Sequence, residues 1–366
     1  MSGPVRVAVV GLGIGQAHVY GFRRRKDLFT VTALCDLDPG ALAPLAERLP
    51  DARTTTALSD VLGAGDVDVV SICTPPFLHL DQASAVLEAG QHVICEKPLV
   101  GSLADLDALD RVEQSMAGAT VGADLGAPRV MPVFQYRYGR GLQKLRMMVD
   151  EGLAGELFTA SVEVAWQRGP DYYAVPWRGR WETELGGTLF SHCVHALDMV
   201  TSVVGDVDRA FARTSTRVNE VETEDTASVS AELVGGGYLT LSATLGSVAE
   251  ISRHRFCFRN LTAESNTSPY TSSSDPWTFT GADAAVKARI DEVCAAVDRA
   301  APAESYQRQF ELFHAAITSG EELPVTLRDA QRSLELVTAL YASAATGADI
   351  GLPLTPDHPF RNGWRP

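Results

Sequence analysis

Over the first third of the chain, short unbroken apolar runs alternate with amphipathic stretches. Val5–Val10, residues 31–35, residues 66–73 and His92–Cys95 each have the length and β-branched content of a strand buried on both faces. Residues 16–25, 80–89 and 103–117 have helical spacing, with Gly90 placed to cap the second, and residues 130–135 read as the last strand of this region. Strand–helix–strand order with right-handed crossovers predicts a parallel sheet covered by helices. Beyond that point the apolar period drops to two. Residues 159–165, 209–218, 226–234, 238–245 and 255–258 predict a large, mostly antiparallel open sheet, with Gly235-Gly236-Gly237 as a hairpin turn. Residues 266–274, rich in Ser and Thr, predict a surface loop, and Ser305–Ser319 and residues 327–345 predict helices that pack on the second domain. The fold class is α/β joined to α+β, divided at about Ala123 into residues 1–123 and 124–366.

The first strand runs into Gly11-Leu12-Gly13-Ile14-Gly15, and the second ends in Asp36. Glycines at a strand-to-helix turn admit a pyrophosphate to the helix N-terminus, and an acid roughly 20 residues later can accept both ribose hydroxyls; the first domain is therefore expected to bind a dinucleotide. Asp36 repels a 2′-phosphate and Leu37 stands where arginine would favour one, so NAD is expected over NADP. The third glycine of the usual pattern would fall at position 16, which is Gln16, so a turn one residue tighter is expected. Arg23-Arg24-Arg25-Lys26 reads as a solvated helix end. Thr74-Pro75-Pro76 ends the third long strand, His79 follows, and Glu96-Lys97-Pro98 ends the next. All of these lie at the carboxyl edge of a parallel sheet, where Gly11 to Gly15, Asp36, Thr74, Pro75, His79, Glu96 and Lys97 are candidate cofactor contacts. An ammonium at Lys97 can bind an alcohol oxygen and share its proton during hydride transfer.

Composition narrows the partners. The 366 residues, 45% hydrophobic, exceed one ordinary core and fit two domains. No apolar run is long enough for a membrane span, and the N-terminus leads directly into a strand, so a cytoplasmic protein is expected. A net charge of −15, from 31 basic and 46 acidic residues, opposes binding to nucleic acid or anionic membranes. A small-molecule substrate fits better. The six cysteines have no C-x-x-C spacing and read as small buried hydrophobes, without a metal.

A second constellation lies at residues 186–198. On a continuous helix, Ser191, His195 and Asp198 share a face at i, i+4 and i+7, so His195 could take an alcohol proton while Asp198 fixes its tautomer. His192 would point about 100° away. The alternative is a pair of helix histidines that touch no ligand. Upstream, Trp166, Arg168, Tyr172, Tyr173, Trp177, Arg178 and Arg180 combine aromatic faces, which stack on sugar rings, with guanidinium groups. They read as a carbohydrate cleft, or as a loop packed by its own aromatics; Arg178 and Arg180 could also hold a phosphate or carboxylate.

These motifs, with residues 134–138 (Phe-Gln-Tyr-Arg-Tyr), 151–156 and 323–326, resemble the glucose-fructose oxidoreductase/inositol dehydrogenase/rhizopine-catabolism (Gfo/Idh/MocA) family over almost the whole chain. The resemblance implies a Rossmann domain joined to an α/β domain whose open sheet makes homodimers or homotetramers, and NAD(P)-dependent oxidation or reduction of sugars and polyols. It implies that Lys97 and His195 are the catalytic lysine and histidine, with a cis Lys97-Pro98 bond. Candidate substrate contacts are then Lys97, Tyr136, Arg137, Trp166, Tyr173, Trp177, Arg178, His192 and His195. Many relatives carry aspartate where this chain has Ser191, which can hydrogen-bond a hydroxyl but cannot hold charge; Ser191 and His192 join the candidate catalytic set. The expected activity is hydride transfer between nicotinamide and a secondary hydroxyl or keto group of a sugar, glycoside or cyclitol. Two alternatives stand beside it: a redox-neutral enzyme that cleaves glycosides by oxidation and elimination, and a non-catalytic sugar or nucleotide sensor.

Overall fold

The computed structural model describes residues 3–122 and 124–365, so the expected division at Ala123 lies outside the described residues, as do Met1 and Ser2. The chain forms two compact units, residues 1–133 with 306–331, and residues 134–305 with 332–366.

The first unit holds a parallel sheet of β1 (Val5–Val10), β2 (Phe29–Cys35), β3 (Arg53–Thr55), β4 (Val69–Ile72), β5 (His92–Cys95) and β6 (Val130–Pro132), in the order 3-2-1-4-5-6. Its helices are α1 (Gly15–Arg23), α2 (Pro39–Arg48), α3 (Leu58–Leu62), α4 (His79–Glu88) and α5 (Leu103–Ser115). The central strands are buried because helices cover both faces, which is why they read as continuous apolar runs. Val10 pairs with Cys35 and Ile72, and Ile72 with Cys95. The residues that follow these strands, from Gly11, Asp36, Cys73 and Glu96 onward, therefore line one edge. The strand order reverses between β1 and β4, the position at which such sheets bind ligands.

The second unit carries α6 (Arg140–Asp150), β7 (Leu157–Gln167), α7 (Pro170–Tyr173), α8 (Val194–Val204), β8 (Val207–Ser215), β9 (Thr226–Leu233), β10 (Tyr238–Thr244), β11 (Gly246–Phe258), β12 (Leu261–Glu264), β13 (Thr278–Gly281), α9 (Ala284–Ala300) and β14 (Ile350–Gly351). Its eight strands form one sheet in the order 13-12-11-7-10-9-8-14, antiparallel except where β10 runs parallel to β7. Along β9, Ala227, Val229, Ala231 and Leu233 are buried while Ser228, Ser230 and Glu232 are exposed. One face is core and the other is open, as the period of two predicts.

Helix α10 (Ser305–Ser319) departs from expectation. From Tyr306 on it belongs to the first unit, where Phe310 stacks on Phe22 at 4.3 Å and meets the bare Cα of Gly21. Arg25 pairs with Glu311 at 2.6 Å, and Gln309 Nε2 donates to the Pro132 carbonyl at 2.7 Å. The aromatic stripe of α10 fits the groove that Gly21 leaves on α1, a complementarity invisible in the spacing of either helix alone. Helix α11 (Leu327–Thr346) belongs to the second unit from Arg332 onward.

Candidate functional site

On the first unit the glycine turn is held by contacts that exclude a side chain. Gly11 has φ +85°, and a Cβ there would stand 2.7 Å from the Cys73 carbonyl. At Gly15 a Cβ would stand 3.0 Å from Val9 Cγ1, so Gly15 provides the close helix–strand packing of the third glycine, and the turn is one residue tighter, as Gln16 implied. Nothing lies within 4 Å of the missing Cβ of Gly13. No side chain caps the N-terminus of α1, and Ile14 is about half exposed. The Leu12 amide donates to Asp36 Oδ2 at 2.6 Å and the Asp38 amide to Oδ1 at 2.9 Å, fixing the acid against the turn, while Leu37 is exposed. An open glycine, an uncapped helix start and an oriented carboxylate fit a dinucleotide.

Two loops complete this edge. Thr74 donates through Oγ1 to Gln82 Oε1 at 2.6 Å, and the Lys97-Pro98 bond is cis. His79 is buried, its Nδ1 2.8 Å from the Pro98 carbonyl and its Nε2 2.8 Å from the Thr74 carbonyl. Expected as a cofactor contact, it instead ties together the two loops that carry Thr74 and Lys97. Burial lowers its pKa, and a neutral imidazole has one N–H for two carbonyls. Glu96 is also buried, and its carboxylate is engaged within the protein.

On the second unit the segment after Gly186-Gly187 is not one α-helix. Thr188–His192 forms a π turn, Cys193 breaks it, and α8 begins at Val194. The wider turn shifts the register, so the i, i+4, i+7 face expected for Ser191, His195 and Asp198 does not form. Ser191 Oγ donates to the Gly186 carbonyl at 3.3 Å. Asp198 does not serve as the expected tautomer-fixing partner of His195. It accepts from Arg137 Nε at 2.8 Å and Nη2 at 2.6 Å and from Ser333 Oγ at 3.3 Å, with Arg137 and Asp198 both buried. Arg137, expected on the substrate, thus gives two of its nitrogens to this pair. Its neighbour Tyr136 stacks on the His195 ring at 4.5 Å and 16°.

Glu224, which the sequence reading did not single out, anchors the π turn. Its carboxylate accepts from the amides of Gly187 at 3.0 Å and Leu189 at 2.9 Å and from Tyr341 Oη at 2.8 Å. A Cβ on Gly187 would overlap the Glu224 carbonyl oxygen, which explains the glycine. Burial pushes the Glu224 carboxyl up to about 7 against these three donors. A folded-state value above the unfolded one favours the protonated form, so this contribution is whole below pH 4.5 and disappears as the pH rises through 7. The shift corresponds to about 3 kcal/mol. Glu224→Gln cannot accept at both oxygens and is expected to be less stable throughout, but the gap to the wild type narrows from pH 5 to pH 8. Urea unfolding of both proteins at those two pH values measures it; a gap independent of pH would contradict the assignment.

The aromatic residues do converge. Trp166 meets His192 edge-on at 5.4 Å, Tyr172 Oη lies 3.2 Å from His192 Nε2, and Tyr173 packs on Tyr172. The Arg178 guanidinium covers the rings of Tyr172 and Trp177, and Arg168 lies over Trp166, Tyr172 and Tyr270. Glu184 and Glu250 balance the two arginines at 3.7 and 3.0 Å. Burial pushes the Tyr172 hydroxyl up to about 12, so it remains a donor. Tyr270 comes from the loop at 266–274, and no local spacing connects it to Trp166. Arg180 is exposed, and Trp181 packs on Tyr341, apart from this cluster.

A dinucleotide turn at the switch point of a parallel sheet, beside a lysine loop, defines an oxidoreductase of the nucleotide-binding α/β class. Residues 5–122 match the model of the oxidoreductase family with an NAD-binding Rossmann fold, and residues 142–258 that of the GFO/IDH/MocA C-terminal domain. The chain belongs to the GFO/IDH/MocA family. It is 30% identical over 206 residues to D-glucoside 3-dehydrogenase of Escherichia coli, covering 56% of this chain and 55% of that one. Inositol 2-dehydrogenase of Corynebacterium glutamicum is 32% identical over 158 residues, 43% of this chain and 44% of that protein. The matches thus span about half the length of these curated relatives. Among solved structures, the WlbA dehydrogenase of Bordetella pertussis, in complex with NADH and UDP-GlcNAcA, superposes with a TM-score of 0.83 at 26% identity, over 97% of this chain and 99% of that one. Among the described residues, no helix is long and apolar enough to cross a membrane.

Proposed function

We infer that the protein is an NAD-dependent dehydrogenase acting on a secondary hydroxyl of a sugar, glycoside or cyclitol. The observation that carries this reading is the conjunction, on one sheet edge, of the Gly11–Gly15 turn, the oriented Asp36 carboxylate and the Lys97 loop. Bound nicotinamide would accept the hydride from the carbinol carbon, leaving a ketone and one proton. Asp36 would hold the adenosine ribose, and the amides of the glycine turn the pyrophosphate. Lys97 would bind and polarise the reacting oxygen, and His195, its ring fixed by Tyr136, would take the proton. The Trp166, Tyr172 and His192 cluster carries the Arg168 and Arg178 guanidinium groups on its ring faces, and their N–H donors suit a ring bearing hydroxyls.

The names of the relatives and the ligand of the WlbA structure set the first panel: glucosides, inositols and nucleotide-linked sugars, each with NAD and with NADP. Reduced nicotinamide is followed by absorbance and product by mass. Release of an aglycone without accumulation of NADH would replace this reading with the redox-neutral cleavage. The reading carries with it a cytoplasmic location and a homodimer or homotetramer, the size of which light scattering of the purified protein checks.

Asp36→Ala is expected to lower kcat/KM for NAD by about 10- to 100-fold, the worth of hydrogen bonds to a charged acceptor, while that for NADP falls less or rises. Equal losses with both cofactors would remove Asp36 from the ribose.

A further inference from the structure

Glu96 stands at the centre of a buried network in the first unit. Its Oε2 accepts the Lys97 amide at 3.0 Å, and its Oε1 accepts Tyr306 Oη at 2.9 Å and lies 3.0 Å from His18 Nε2. The other nitrogen of His18 is 2.7 Å from Ser71 Oγ, a hydroxyl at zero exposure in the middle of β4. Facing a carboxylate, Nε2 carries a hydrogen and donates to it, while the Ser71 hydroxyl meets the other ring nitrogen. The His18 ring packs between Tyr306 at 4.7 Å and Phe310 at 5.2 Å. Tyr306 comes from the first turn of α10, 210 positions beyond Glu96, at the point where the chain returns to this unit.

A buried carboxylate without donors is costly, and one with donors on both oxygens is rigid. Sheet stability does not in general call for such polarity, since well-packed apolar residues of similar volume often serve as well. The effect of the network is to fix the backbone immediately before the Lys97 side chain. We propose that Tyr306 and His18 are positioning residues for Lys97, acting through Glu96, so that the last helix of the first unit sets the geometry of the lysine loop. The inference rests on the proposed role of Lys97 in hydride transfer, but its structural half can be tested without turnover.

The test is Tyr306→Phe, which removes one oxygen and keeps the ring against His18. The chain has four lysines, Lys26, Lys97, Lys144 and Lys287. Limiting acetic anhydride with peptide mass analysis therefore reads Lys97, half-buried, against exposed Lys26 in the same molecule. Loosening of the loop is expected to raise relative labelling of Lys97 by about threefold or more, as local opening exposes the amine. With a turned-over substrate, kcat is expected to fall by about 10-fold or more while KM for NAD stays within about twofold, because misplacement affects the reacting group and not the glycine turn. Glu96→Gln turns an amide toward the Lys97 N–H and gives the same two changes, and it decides the matter should Tyr306→Phe fail to fold. In the double variant the effects on kcat should not multiply. Unchanged Lys97 labelling in the folded variants overturns the proposal, whatever kcat does. If no member of the panel is turned over by the wild type, the dehydrogenase reading fails, while the labelling still decides the clamp.

Discussion

Lys97→Ala is expected to lower kcat on the true substrate by about 100- to 10,000-fold, the range that a positioned acid–base group contributes. NAD affinity should stay within about threefold, because Gly11 packs against Cys73 and Thr74 and Asp36 is fixed by the amides of Leu12 and Asp38, none of which the substitution alters. Lys97→Arg sharpens the result. Arginine keeps the charge but does not give up a proton at any working pH, so it should retain substrate binding and lose most of the turnover. Steady-state kinetics with a fluorescence titration of NAD separate these quantities. Turnover of Lys97→Ala equal to wild type, with normal NAD binding, would remove the lysine from the chemistry.

The parts of this molecule that were legible in the sequence are those in which one local pattern has one structural cause. Parallel strands buried on both faces produce continuous apolar runs, and a one-sided sheet produces alternation, so both sheets could be read with their order of appearance. Gly11, Asp36, Thr74 and Lys97 could be placed together because the ends of parallel strands must share an edge. The strands β3, β12, β13 and β14 escaped notice because strands of two to four residues carry little periodicity, and β11 begins nine residues before its legible part because its first half is exposed. The errors at the second unit have one origin. A π turn at Thr188–His192 has no sequence signature of its own, and assuming an ideal helix gave Asp198 to His195 when it belongs to Arg137. Glu224, Tyr270 and Tyr306 act over separations that no local spacing reports. A buried glutamate just ahead of β9, following Glu222 and Thr223 and preceding Asp225, looks like part of a solvated loop until Gly187 is seen against it.

The pairing of Asp198 with Arg137 carries the other large expected effect. Asp198→Ala should destabilise the second unit by about 3–5 kcal/mol, because it removes one side of a buried two-point ion pair with Arg137. The cost lies in keeping the guanidinium buried when the carboxylate facing its Nε and Nη2 is gone, more than in the lost attraction. Replacing both partners by apolar residues of similar volume, Asp198→Leu with Arg137→Met, should therefore recover most of that stability. It should not recover activity. Arg137 belongs to the turn Gln135–Tyr138 that presses Tyr136 flat on His195, and the ion pair ties that turn to α8. With the tie gone, the imidazole loses the surface that holds its plane, and turnover should stay at least about 10-fold down even in the restored protein. Urea unfolding followed by tryptophan emission reports the stability, with kcat measured on the same samples. A double variant restored in both stability and kcat would show the pair to be structural only. An Asp198→Ala protein as stable as wild type would mean that Arg137 finds another carboxylate or water, and that the pair is not what anchors Tyr136.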